Sequence, residues 1–296
     1  ALARAGGLNV LVPLAGLIGR SGQGIVAPGV YDALTALLAE EAGFSCLYVS
    51  GAAVAYARLG RPDLGLVSST EMAEAVAQIA DRVATPLIVD ADTGFGNALN
   101  VQRTVRLFAR AGAAAIQLED QEVPKRCGHL AGKRLIPASE MEGKIAAALA
   151  ARGPGGPLVV ARTDAIAVEG FDAAVARAEG YLEAGADALF IEAPTDRAEL
   201  EAIGRRFGDR VPLVANMVEG GRTPAATADE LIAMGFRIVI FPGGIARAVV
   251  HHARAYYASL RDTRSNAAFR DRMTDFDGVN AAVGLQDMLR EAERYG

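Results

Sequence analysis

The chain has 296 residues, 51% of them apolar and only 6% aromatic, a length that holds one large α/β unit and a balance that suits helices on a buried parallel sheet better than a β-sandwich. Its 35 acidic and 30 basic residues leave a formal net charge of −5 with no basic block, so nothing in it is suited to neutralise a phosphate backbone and nucleic acid is excluded as a partner. Its two cysteines, Cys46 and Cys127, make no disulfide framework and no CxxC zinc site, which points to a reducing cytoplasm.

From the N-terminus, an apolar run from Leu8 to Ile18 is broken by Asn9 and Pro13 and is too short to span a bilayer. It reads as a short helix covering one end of the fold, within an N-terminal extension of residues 1–20. Buried strands are expected at about Gly24 to Pro28, Leu47 to Ser50, Leu87 to Asp92, Ile116 to Glu119, Leu158 to Arg162, Leu189 to Glu192, Leu213 to Asn216 and Ile238 to Phe241. Alternate members carry one cassette: Glu41-Ala-Gly-Phe44, Arg110-Ala-Gly-Ala113, Glu183-Ala-Gly-Ala186 and Ala233-Met-Gly-Phe236 each precede a strand. Gly43, Gly112, Gly185 and Gly235 are expected to supply the left-handed turn that stops a helix. Strands alternating with helices imply parallel βαβ units, in an open doubly wound sheet or a closed (β/α)8 barrel.

The polar residues favour the barrel. Ser50, Asp90, Asp92, Glu119, Asp120, Arg162, Asp164, Glu192, Asn216 and Glu219 all fall at strand C-termini. A closed barrel gathers those ends at one mouth, where catalytic groups sit, whereas an open sheet uses only its switch point. The expected fold is therefore a (β/α)8 TIM barrel forming a single domain over residues 1–296, with a C-terminal helical extension at 263–296.

Three motifs carry chemistry. Val89-Asp-Ala-Asp-Thr-Gly-Phe-Gly96 places Asp90 and Asp92 on one face of a strand end. With Glu119 close by, these carboxylates require a cation, and oxygen-only ligands select Mg²⁺, or Mn²⁺, over zinc. Pro124-Lys-Arg-Cys-Gly-His129 lacks apolar periodicity and reads as a loop, in which neighbouring cations favour the thiolate of Cys127 and make it a competent acid or base. Ala161-Arg-Thr-Asp164 sets the Arg162 guanidinium at a strand end, suited either to a bidentate grip on a substrate carboxylate or to a salt bridge ordering the acids. Cys46 reads as core, and His251 and His252 as ordinary helix residues.

These residues are also where the chain resembles the isocitrate lyase and phosphoenolpyruvate mutase superfamily, across nearly its whole length. The likeness runs through Ser50-Gly51, Pro62-Asp-Leu-Gly65, the Asp90 turn, Leu118-Glu-Asp-Gln121, Lys125-Arg-Cys-Gly-His129, Ala161-Arg-Thr-Asp164, Glu192 and Asn216. The cysteine loop is the most specific of these and places the chain in the lyase branch.

The resemblance implies a barrel whose last helix is exchanged between subunits, usually in a dimer of dimers, and a small carboxylate substrate. It implies that Asp92 binds Mg²⁺ directly, with Asp63, Asp90 and Glu119 holding it mostly through water. Ser50, Gly51, Ala52 and Arg162 would bind the pyruvate-like or glyoxylate-like half, with Tyr48 beside the 2-hydroxyl. Cys127, with Lys125 on the same loop, would protonate C3 after C2–C3 cleavage. Gly128, His129, Glu192 and Asn216 would hold the second carboxylate, and Glu219, Thr223 and Arg247 are candidates for a third.

Asn216-Met-Val-Glu-Gly-Gly-Arg-Thr-Pro224 departs from the Asn-Cys-Ser-Pro-Ser-Phe string of isocitrate lyases, which disfavours that activity. A 2-methylisocitrate or 2,3-dimethylmalate lyase is the expectation. A carboxyphosphonoenolpyruvate mutase is the alternative.

Overall fold

The computed structural model describes residues 14–18, 24–128 and 132–296. Eight parallel strands close into a barrel in chain order: β1 Ile25–Val30, β2 Leu47–Val49, β3 Leu87–Asp90, β4 Ala115–Glu119, β5 Leu158–Thr163, β6 Ala188–Ile191, β7 Leu213–Asn216 and β8 Ile238–Phe241, which pairs back with β1. The closed barrel is the expected one, and the open sheet is ruled out. The strand limits differ from the expected ones by a few residues. Asp92 lies in the turn after β3 rather than in the strand, because its backbone turns left-handed at φ +46°.

The two faces of each strand pack differently, as the period of two demands. Ala27, Tyr48, Ile88, Ala115, Val160, Phe190, Val214 and Ile240 share the apolar cluster inside the barrel. Their neighbours Leu47, Val49, Val89, Ile116, Leu118, Leu189 and Val239 belong to the cluster under the surrounding helices. The helix Leu14–Ile18 puts Leu14 and Ile18 into the inner cluster with Cys46 and Ile25, near the strand starts, so it covers the end of the barrel opposite the strand C-termini. Residues 8–13 of that apolar run lie outside the described residues. All four cassette glycines have the expected positive φ, between +89° and +105°.

The chain divides into two compact units, one ending at Gly244 and the other spanning Ile245–Gly296. The second contains most of the helix Gly244–Thr263 and the shorter helices Phe276–Ala282 and Leu285–Ala292. Its one small core is Phe269, stacked edge-on against Tyr256 and covered by the Arg272 guanidinium. Among the described residues, no helix is long and apolar enough to cross a membrane.

Close approach of backbones fixes one residue of the first unit. Gly204 sits inside the helix Arg197–Phe207, where alanine would ordinarily be better by about 1 kcal/mol. A Cβ there, however, would lie 1.6 Å from the Met234 carbonyl oxygen. Gly204→Ala is therefore expected to destabilise the barrel by about 1–3 kcal/mol through overpacking, read as a lower urea midpoint at unchanged m-value.

Candidate active site

Strand register assembles the site at the C-terminal mouth. Asp90 on β3 pairs with Gln117 on β4, and Glu119 on β4 pairs with Arg162 on β5, so each couple points into the barrel side by side. Gln117 Nε2 donates to Asp90 Oδ1 at 3.4 Å and its Oε1 accepts from the Tyr48 hydroxyl at 2.9 Å, which ties β2, β3 and β4 together below the mouth. Gln117 has no place among the expected site residues. Its signal was there to read: it is a polar residue two positions before Glu119 in an otherwise apolar strand.

Asp63, Asp90, Asp92 and Glu119 do come together. The cation among them is Lys125, whose Nζ lies 2.5 Å from Asp63 Oδ1 and 2.7 Å from Asp92 Oδ1. Burial alone would lower the Lys125 pKa, but Asp92, Glu119, Asp90 and Asp63 outweigh it and hold the ammonium well above its ordinary value. Burial likewise pushes the Asp92 carboxyl up to about 7, against the pull of Lys125. Glu119 is raised by burial as well, with Arg162 opposing. Tyr48 is raised by burial and then by Asp90, which keeps it a neutral phenol. A cleft of about 250 Å³ opens on Gly51, Asp63, Asp90 and Asp92.

This donor set can be tested against a divalent cation. Among the described residues no three Asp, Glu, His or Cys side chains close around one point. That is no obstacle for Mg²⁺, which keeps several waters and takes one or two carboxylates. Glu119 Oε1 is buried without a hydrogen-bond partner, and Asp92 Oδ1 holds the Lys125 ammonium at 2.7 Å, so the oxygens here already draw positive charge. The residues fit the ion.

The other side of the mouth is cationic. Arg162 is buried, lies over the Phe190 ring at 5.0 Å, and is gripped bidentately by Asp164, with Nε and Nη2 each 3.0 Å from a carboxylate oxygen. It also approaches Glu119 at 3.5 Å and Glu192 at 3.9 Å. Of the two expected roles the contacts show the salt bridge: the fork orders Asp164, while Nη1 faces Glu192. Glu192 is fully buried and accepts from Asn216 Nδ2 at 3.1 Å. Gly128 lies against this pair, since a Cβ on it would fall 2.3 Å from Arg162 Nη2 and 2.9 Å from Glu192 Cγ. Cys127, next in the chain, is half-buried.

Ser50 caps the helix Gly51–Leu59 by accepting from the Ala53 amide, leaving the first-turn amides of Gly51 and Ala52 without intrahelical acceptors. Gly51 is also where the helix meets the acids, with space for a Cβ only 3.0 Å from Asp90 Oδ2. Thr223 lines a second cleft of about 210 Å³ with Asn216, Met217 and Phe190, whereas Glu219 is exposed near Gly244. Arg247 is an exposed residue of the second unit, on the helix Gly244–Thr263, which also carries His251 and His252. His129 lies outside the described residues.

One strand-end acid is not at the mouth. Asp120 follows Glu119 and so faces outward, where it accepts from Thr163 Oγ1 at 2.7 Å, the Tyr181 hydroxyl at 2.8 Å and the Asp164 amide at 3.0 Å. The expectation that every strand-end acid converges on the mouth fails there because adjacent residues of a strand point to opposite faces.

With this geometry in hand, the comparisons are specific. Residues 16–261 match the phosphoenolpyruvate phosphomutase family. The chain belongs to the phosphoenolpyruvate mutase/isocitrate lyase superfamily and is an enzyme of it. It is 54% identical to the 2-methylisocitrate lyase of Aeropyrum pernix over 91% of this chain and 86% of that protein. It is 45% identical to the chloroplastic carboxyvinyl-carboxyphosphonate phosphorylmutase of Arabidopsis thaliana, over 92% of this chain and 81% of that one. A crystal structure of 2,3-dimethylmalate lyase superposes with a TM-score of 0.90 at 36% identity, covering 96% and 94% of the two chains. Lyases of this superfamily are thus among the proteins to which the chain is similar.

Two outcomes follow from the site. Lys125→Met leaves buried carboxylates without their cation and is expected to cost about 3–5 kcal/mol of stability in urea with chelator present. Burial pushes the Cys46 thiol up to about 12, so native protein at pH 8 is expected to take iodoacetamide at Cys127 only, seen as a single adduct by peptide mass.

Proposed function

We propose that the chain is a Mg²⁺-dependent carbon–carbon lyase that cleaves a 2-hydroxy di- or tricarboxylate, of the 2-methylisocitrate or alkylmalate type, between C2 and C3. The products are pyruvate or glyoxylate and a second carboxylate such as succinate. The observation that carries the reading is the pairing of opposite sites across one mouth. An oxygen-rich acid cluster stands on β3 and β4, and Arg162, Glu192 and Asn216 stand on β5 to β7 under the cysteine loop.

Asp92 would bind the ion directly, with Asp63, Asp90 and Glu119 acting through water. When bound, the ion supplies Lewis-acid stabilisation of negative charge on the oxygens of the 2-oxoacid half. The amides of Gly51 and Ala52, with Ser50, hold that half's carboxylate at a helix N-terminus. Tyr48, a neutral phenol that gives its proton to Gln117 Oε1, would lie beside the 2-hydroxyl. A base takes the hydroxyl proton, the C2–C3 pair flows into the neighbouring carboxylate, and Cys127 delivers a proton to C3. Arg162 grips the 2-oxoacid half as well, and Asn216 and the backbone of Gly128 hold the second carboxylate, with Glu192 orienting them. His129 belongs to this group on the same reading, and Thr223 and Glu219 are assigned to the substituent on C3.

The assembly fits the same reading. The second unit exposes Phe276, Met288 and Tyr295 by 82%, 68% and 83%, more apolar surface than a short helical pair can cover alone. A second copy of the chain is the proposed cover, exchanging this unit in a dimer of dimers, in the cytoplasm.

The test supplies 2-methylisocitrate, 2,3-dimethylmalate and isocitrate with Mg²⁺ and reads pyruvate or glyoxylate through a coupled dehydrogenase. Cleavage of one of the first two is expected, and loss of turnover by orders of magnitude in Cys127→Ser. No cleavage of any, with a carbon–phosphorus bond formed instead from the carboxyphosphonate enol ester, would hand the chain to the mutase reading. Independently of turnover, Mg²⁺ is expected to raise Tm in the wild type by mass action and to leave it unchanged in Asp92→Asn, where asparagine keeps the left-handed turn.

A further inference from the structure

Asp164 is a heavily used carboxylate that has no place in the proposed chemistry. It is fully buried, and its two oxygens accept from Arg162 Nε and Nη2 at 3.0 Å each, from Lys133 Nζ at 2.8 Å and from Gln121 Nε2 at 3.2 Å. Two of those donors do not stop at Asp164. Gln121 also donates from Nε2 to the Arg126 carbonyl at 2.8 Å and accepts the Arg126 amide at 3.0 Å. Lys133 also donates to the Gly128 carbonyl. The tethers therefore reach the residue before Cys127 and the residue after it.

We infer that Asp164 is a positioning residue that sets Cys127 over Arg162, acting through Gln121 on one side of the cysteine and Lys133 on the other. The logic is one of reach. A loop carrying a proton donor must place it to within a fraction of an ångström of the carbon it protonates, and loop backbone has few partners of its own. Here the same carboxylate that holds the guanidinium fork also holds the backbone on both sides of the thiol. Arg162 and Cys127 thus take their positions from one rigid point at the end of β5. Asp120, on the opposite face, fixes that point by accepting the Asp164 amide. Burial would raise the Asp164 carboxyl, but Arg162 and Lys133 overcome it and bring it to about 2, so the anchor is ionised throughout the working pH range.

The inference rests on the lyase reading only for its kinetic readout, and a second readout is free of it. Alkylation of Cys127 by iodoacetamide, followed by peptide mass with buried Cys46 as the internal blank, reports how the loop holds its thiol whatever the substrate. Lys133→Met and Gln121→Ala each cut one tether without touching Arg162. Both are expected to speed alkylation about tenfold by local opening of the loop. They are also expected to lower kcat about 10²-fold with KM little changed, the signature of a misplaced proton donor with binding intact. Asp164→Asn, which also loosens the Arg162 fork, is expected to raise KM as well. Alkylation rates within about twofold of wild type in both Lys133→Met and Gln121→Ala overturn the inference whatever the turnover. A wild type that cleaves none of the acids overturns the lyase reading and leaves the alkylation result standing.

Discussion

Like charges gathered at one place are the constraint on which this structure depends. Closing eight parallel strands into a barrel brings Asp90, Asp92 and Glu119 to the same mouth, and the turn after the helix Gly51–Leu59 adds Asp63. Carboxylates this close in a desolvated pocket repel one another and take up protons unless a cation stands among them. The protein brings its own. Lys125 comes from the loop that also carries Cys127, so the electrostatic need of the acid cluster draws that loop to the mouth. Charge thus favours docking of the loop, while the tethers through Gln121 and Lys133 hold the residues on either side of the thiol.

The mouth is divided by sign. On β2 to β4 the groups are oxygens that attract cations; on β5 to β7 they are Arg162 and Asn216 facing a buried Glu192, partners for a carboxylate. A molecule that suits both halves needs oxygens able to share a cation at one end and an anionic group at the other, which a 2-hydroxy dicarboxylate has. Pleating sorts the acids further. Glu119 and Asp120 are neighbours, yet one faces the mouth and the other braces the end of β5 from behind through Thr163, Tyr181 and the Asp164 amide. The same strand end therefore supplies a carboxylate at the mouth and the support of the next strand.

How much of this could be read from the residues depends on how local the cause is. The strands and the four glycine stops follow from periods of two and 3.6 and from the backbone freedom of glycine, so they were legible, whereas Asp92 joins Asp90 through a left-handed turn that strand alternation does not foresee. The closed barrel was legible from the polar strand ends as a set. Asp120 was misplaced because that set was read without its alternation. The Lys125 pairings and the tethers through Gln121 and Lys133 join residues that are far apart in the chain or sit in irregular loops, where no period marks a partner. Asp63 entered only through resemblance, since a carboxylate in the segment Pro62-Asp-Leu-Gly65 looks locally like any solvated turn.

Substrate choice sits at the edge of the same division. The acid side and the Arg162 side are built on strands and locked by register, so relatives named for different reactions can share them. The segment after β7 is different: Asn216 is anchored to Glu192, but within a few residues the chain passes through exposed Glu219 to half-buried Thr223 beside the second cleft. Side chains there are held by loop rather than sheet and can change without disturbing the acids or the cysteine loop. The rigid strand ends thus hold what such relatives can share, and on the proposed reading the group accepted on C3 is left to the segment that leaves β7.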